Sequence, residues 1–215
     1  GRNVPEILND DGKTLLVNGH NGFGYYAARW CCDRMIDNAL DNGLCVASLV
    51  NARRTGMLGF YCNRAAVRGL VTLAFSHCMP LMAPYGGREA LLGTNPVAIS
   101  FPAEPDPIVV DMGTAAVTSG ECRRRLAAGE SLPPDSALGP DGQPTEDPAE
   151  AIEGCVLPFG GHRGGALAVA IQLLAGAFTG ASVIPPKGKE YGLLLIGMRR
   201  GLFAGEDGYD AAVRF

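Results

Sequence analysis

Residues 84–114 read PYGGREALLGTNPVAISFPAEPDPIVVDMGT. Two short apolar runs, Val97–Phe101 and Ile108–Val110, are set between loops rich in glycine and polar residues. Each run has the length of a buried strand, and the second closes on Asp111 with a predicted helix start behind it. Polar loops at the ends of buried strands are where α/β proteins hold cofactors. The chemistry of this chain is therefore sought here first.

Working outward, 21–42 predicts an amphipathic helix, with Phe23, Ala27, Trp30, Cys31, Met35, Ile36 and Leu40 at helical spacing and Gly43 as a stop. Asn21 is the expected cap. The apolar run 44–50 predicts a strand, 56–68 a helix ended by Gly69, and 70–75 another strand. After the apolar pair already named, 114–129 predicts a helix capped by Thr114, with Arg123–Arg125 near its far end. Residues 131–148 are rich in Pro, Asp and Gly and read as an extended surface loop. Residues 164–180 form the most apolar predicted helix, 191–198 a further strand, and one more helix begins near the end. Helices alternating with apolar strands predict an α/β protein with a layered mixed sheet, partly parallel.

The 215 residues suffice for one sizeable core, and 47% apolar with 19% charged residues is ordinary for a globular protein. A net charge of −4 gives no support to nucleic-acid binding, and no basic cluster is long enough for a membrane patch. No apolar run reaches the ~18 residues of a membrane span. Seven cysteines, an odd number without a secretory signal, predict reduced structural thiols and a cytoplasmic setting. There is no CxxC pair, and His20, His77 and His162 are far apart in sequence, so no metal is expected. The chain opens on Gly1-Arg2 without methionine, which reads as a fragment or processed piece.

Three segments are candidates for chemistry. In LPFGGHRGG (157–165), four glycines surround His162 and Arg163 at the mouth of an apolar helix. Bare backbone, helix-start N–H groups and a guanidinium together suit a phosphate or pyrophosphate, although a plain turn would look similar. Asp111-Met112-Gly113-Thr114 repeats the strand–acid–turn logic; the acid could accept from a ribose or cap the helix behind it. Gly86–Glu89 and Gly93–Pro96 read as turns. GHNGFG (19–24) does not match the dinucleotide fingerprint, and no P-loop or nucleophile elbow is present.

In order and spacing, GxNPxAIxFP, IVVDMxT, LPxDxALxPDGxPTxDP and LPFGGHRG resemble the malate/L-lactate dehydrogenase-like family of NAD(P)-dependent oxidoreductases, the non-Rossmann type. That family includes sulfolactate and ureidoglycolate dehydrogenases and piperideine-2-carboxylate reductase. The resemblance runs from about Pro5 to Gly180 and more weakly to Met198. It implies that residues 1–215 are a cofactor-binding domain of unusual α/β fold, with the N- and C-terminal parts of a second domain missing. It also implies a homodimer acting on a small-molecule substrate, with neither nucleic acid nor membrane as partner. NAD or NADP would lie along Val110, Asp111, Met112, Gly113, Thr114 and Ala115 and against His162 and Arg163.

Two departures from the family pattern bear on activity. Asn51-Ala52-Arg53-Arg54-Thr55-Gly56 matches a family segment that usually carries a histidine where Arg54 stands. An arginine cannot exchange a proton near neutrality; it can grip a substrate carboxylate, as can Arg88. The family's Ser-His-Gly segment also lies upstream of the point matching Gly1. The sequence thus supports an oxidoreductase of a 2-oxo acid, 2-hydroxy acid or cyclic 2-imino acid. The alternative is a truncated or degenerate, non-catalytic nucleotide-binding or dimerisation domain. A thiol redox protein is disfavoured, since no cysteine has an activating neighbour at a helix start.

Overall fold

The computed structural model describes residues 4–214. Its centre is a seven-stranded sheet in the order β1-β2-β3-β9-β4-β5-β6. The strands are β1 (Glu6–Asp10), β2 (Thr14–Asn18), β3 (Leu44–Ala52), β4 (Leu70–Ser76), β5 (Val97–Phe101), β6 (Ile108–Met112) and β9 (Tyr191–Arg199). Only β2 and β3 run parallel; every other neighbour is antiparallel. The late strand β9 fills the middle of the sheet and is buried along most of its length, which is why it reads as an unbroken apolar run.

Helices α1 (Gly24–Asn42) and α2 (Leu58–Ala66) cover one face of the sheet. Ala47 and Leu49 of β3 point into this layer among Met35, Ile36 and Leu58. Strand residues alternate faces, and Ser48 points the other way, its hydroxyl bonded to the Thr179 carbonyl. That second face is covered by α5 (His162–Gln172) and the wider π turn that continues it, Leu173–Phe178. A smaller apolar cluster joins Met82, Leu92, Val117, Cys122, Leu132 and Val156 beside the sheet. It is bounded by α3 (Ser119–Ala128), α4 (Pro148–Glu153) and the short pair β7 (Ala137–Leu138) and β8 (Cys155–Val156). α6 (Gly205–Val213) closes the chain without a buried residue.

The structure corrects several sequence expectations. α1 begins at Gly24, behind Phe23, and Asn21 does not cap it. His20 and Asn21 adopt left-handed backbone (φ 49° and 52°), and the Asn21 side-chain oxygen accepts from the Glu190 N–H instead. β6 is not buried: it is the last strand of the sheet, and all five of its residues are exposed. No helix starts at Thr114, which is fully buried and hydrogen-bonded to Thr94. α3 starts at Ser119, where Thr118 Oγ1 accepts from the Glu121 N–H. Residues 131–148 are not merely a surface loop, because Leu132, Ser136, Ala137 and Leu138 are buried in the smaller lobe. α2 starts two residues later than expected, since Gly56 has φ 81°. Strands β1 and β2 were not expected at all.

Candidate functional site

Arg54 stands between the end of β3 and the start of α2. Its neighbour Arg53 is tied to the Asn21 carbonyl (2.8 Å), whereas the Arg54 side chain has no hydrogen bond or ion pair among the described residues. Arg54 lines a cavity of about 330 Å³ together with Tyr25, His77, Cys78, Thr94 and the first residues of α3. No carboxylate lines this cavity, so Arg54 is a cation without a counterion, suited to an anionic ligand.

The one histidine in this wall is already occupied. His77 is 1% exposed; its Nε2 donates to the Ser182 carbonyl (2.7 Å) and its Nδ1 accepts from the Gly192 N–H (3.2 Å). Burial pushes its pKa below the ordinary value, against a smaller upward pull from these two bonds. The neutral ring is thus a structural clasp between β4, β9 and the 182 segment. Cys78 is the only cysteine that is not fully buried; all seven are free thiols. Burial raises its pKa, while Arg54 nearby acts in the opposite sense. Cys32 and Cys62, deep in the core, are pushed up to about 12 by burial and stay protonated and inert.

The GTNP loop is more than a turn. Asn95 is fully buried at φ 30°, with Nδ2 donating to the Ala168 carbonyl (2.8 Å) and to Gln172 Oε1 (2.7 Å). Its Oδ1 is buried without a partner. Gln172 Oε1 also accepts from the Gly93 N–H, and its Nε2 donates to the Val183 carbonyl. Helix α5 is in this way fastened to the loop that carries Thr94. The Thr94 carbonyl in turn accepts both the N–H (2.9 Å) and the hydroxyl (3.1 Å) of Thr114.

Beyond Thr114 the chain runs against the glycine turn. The Phe159 N–H donates to the Thr114 carbonyl (2.9 Å), Ala115 pairs with Pro158, and the Ala116 N–H donates to the Leu157 carbonyl (2.8 Å). The structure therefore sets residues 114–116 against 157–159, the strand-like entry to the turn that leads to His162 and Arg163. Gly160 and Gly161 turn at φ 55° and 62°, angles that a side chain strains. The N–H groups of Gly160, Gly161 and His162 meet no backbone acceptor among the described residues. His162 is exposed and lies edge-on to Tyr85, ring centroids 6.0 Å apart; Arg163 is exposed and has no hydrogen bond or ion pair from its side chain among the described residues. Gly160 and Gly161 line a cavity of about 650 Å³ with Tyr85, Arg88 and Ala116. Arg88 belongs to this second cavity and not to that of Arg54.

Asp111 has a structural duty that sequence reasoning placed on the wrong helix. Its Oδ2 accepts from the Gly59 N–H (2.7 Å) and so caps α2, not the helix that follows it. Val110, Asp111, Met112 and Gly113 line neither cavity; they lie along the free edge of the sheet. Tyr25, Cys78, Thr94 and the α3 start are site residues that the sequence did not single out. Among the described residues no group of three or more His, Cys, Asp or Glu could hold a metal, and no helix is long and apolar enough to cross a membrane.

The fold that carries this turn and this cavity is similar to that of a set of solved dehydrogenases. Sulfolactate dehydrogenase from Methanocaldococcus jannaschii superposes with a TM-score of 0.86 at 33% identity, covering 97% of this chain and 63% of that one. By sequence, L-sulfolactate dehydrogenase of Methanothermobacter thermautotrophicus is 37% identical over 79% of this chain and 50% of its own length. The Δ1-pyrroline-2-carboxylate/Δ1-piperideine-2-carboxylate reductase of Pseudomonas putida is 36% identical over 84% of this chain and 53% of its own. The family model for malate/L-lactate dehydrogenase matches residues 1–215, and the chain belongs to that family. It spans about half the length of the curated relatives it matches.

Proposed function

We propose that this chain is the cofactor-binding domain of an NAD(P)-dependent oxidoreductase acting on a small 2-oxo acid, 2-hydroxy acid or cyclic 2-imino acid. The observation that carries the reading is the join at Thr94: this residue lines the Arg54 cavity, and its carbonyl holds Thr114, from which the chain runs to the glycine turn. A nucleotide held at that turn and an anion held in the cavity would thereby be tied to each other through the Thr94–Thr114 hydrogen bonds.

The residues at hand suit a dinucleotide. Unpaired N–H groups at Gly160, Gly161 and His162 and the free guanidinium of Arg163 offer donors to a pyrophosphate. The edge strand Val110–Met112 leaves one side of its backbone without a strand partner, and Gly113–Ala115 continue it toward the turn. The nicotinamide, when bound, supplies or accepts the hydride. Arg54 would hold the substrate carboxylate with its fork of donors, and Thr94 and the α3 start would bound the reacting end. Arg54 stays charged throughout and moves no proton.

A second reading, nucleotide binding or dimerisation without turnover, is favoured by one observation. His77, the histidine in the cavity wall, has both ring nitrogens engaged by backbone. Loss of reduced-nicotinamide absorbance on adding pyruvate, phenylpyruvate or piperideine-2-carboxylate to the full chain distinguishes the two. Sustained oxidation supports the enzyme; cofactor binding without oxidation leaves the second reading standing. A homodimer belongs to either reading, and sedimentation as a monomer at all concentrations would remove it. The seven free thiols support the cytoplasmic setting.

A further inference from the structure

The Arg54 cavity opens toward α1. Tyr25 and Thr55 line it and also line a neighbouring hollow of about 490 Å³, whose other walls include Phe23, Tyr26, Met57 and Phe60. This shelf is aromatic and open: Phe23 and Met57 are each 70% exposed and Phe60 50%. The Phe23 and Tyr25 rings stack with centroids 5.3 Å apart. Tyr25 lies directly on Gly56, where any side chain would overlap its ring, so the shared wall depends on that glycine.

The charges are as uneven as the surfaces. No Asp or Glu lines either hollow. Arg54 has no ion pair among the described residues, whereas Arg29 of the shelf faces Asp33 one helical turn on (3.8 Å), a carboxylate that Arg64 also holds. A ligand anchored by one carboxylate at Arg54 therefore meets an aromatic shelf next, not a second free cation. An apolar side chain loses water there at a gain, while a second carboxylate or a sulfonate would be desolvated without a partner.

We propose that the site selects 2-oxo acids or cyclic imino acids with a large apolar or aromatic side chain over those with a second anionic group. Tyr25 and Phe60 are its specificity-determining residues. This rests on the reading of Arg54 as the carboxylate holder.

Ligand-observed NMR titration of the full chain with phenylpyruvate, pyruvate, oxaloacetate and sulfopyruvate tests it. Phenylpyruvate is expected to bind at least about tenfold tighter than oxaloacetate or sulfopyruvate, the scale that pocket contacts of this kind supply. Phe60→Ala, half exposed and so tolerant of replacement, should erase most of that margin and leave pyruvate unchanged, and Arg54→Gln should weaken all four. Should oxaloacetate or sulfopyruvate bind as tightly as phenylpyruvate, with all lost in Arg54→Gln, the selectivity is wrong and the carboxylate role stands. An order unmoved by Phe60→Ala also overturns the selectivity. Binding unaffected by Arg54→Gln, or no binding of any acid, overturns both.

Discussion

The carbonyl oxygen of Thr94 accepts two hydrogen bonds from Thr114, one from its N–H (2.9 Å) and one from its hydroxyl (3.1 Å). Both residues come from the two loops of the 84–114 stretch, and their union sets the Arg54 cavity beside the glycine turn. Thr114→Val keeps the first bond and deletes the second. A net loss of about 1 kcal/mol is expected in urea unfolding, the usual worth of one such bond. Affinities for cofactor and 2-oxo acid should fall together, because the same bond places both. A fall in only one would show that the two sites are not coupled here.

Arg163 is exposed and touches no acid, so its replacement should leave the fold intact. Arg163→Ala is expected to weaken cofactor binding about ten- to a hundredfold, from the ~1.5–3 kcal/mol of a charge-assisted hydrogen bond. The melting temperature should not move. Unchanged affinity would reduce the glycine turn to a connector.

Cys78 is the accessible thiol in a chain whose other six are buried. Iodoacetamide should therefore modify one site, and peptide mapping should find it at Cys78. Arg54→Gln should slow the reaction, since Arg54 favours the thiolate. Bound 2-oxo acid should protect it. Equal labelling with and without ligand would place the acid elsewhere.

His77 makes stability depend on pH. Its folded pKa lies below the ordinary ~6.5, so between the two values the unfolded chain binds a proton that the folded chain refuses. Stability is fully present above about pH 6.5 and falls as pH drops through that window. The lowered carboxylates of Asp10, Asp11 and Glu121 act only further down, from their ordinary values near 4. His77→Gln should flatten the slope below about pH 6.5. A slope unchanged in that variant would assign it to another group.

Legibility followed the range of the interactions. β3, β4, β5, β9 and the body of α1 declare themselves by local apolar pattern, which burial on the sheet enforces. β1 is short and largely exposed and β2 is short, burying only Leu15 and Val17, so EILND and TLLVN carry little pattern. The true start of α3 has a local signal that the expectation at Thr114 passed over: Thr118 with Glu121 three residues on has the spacing of a capping box. The turn at Gly160 and Gly161 was legible because the backbone angles it needs are a local property of glycine. The Asp111 bond to Gly59, and the Asn95 bond to Gln172, span 52 and 77 residues. No local spacing encodes contacts of that kind.

The central claim is that Val110–Ala115 and the His162–Arg163 turn form one nicotinamide dinucleotide site. Fluorescence titration of the full chain with NADH and with NADPH tests it most directly. Saturable binding of at least one, weakened in Arg163→Ala and in Thr114→Val, is the result expected. No saturation with either nucleotide, from a chain shown to be folded, would contradict the account.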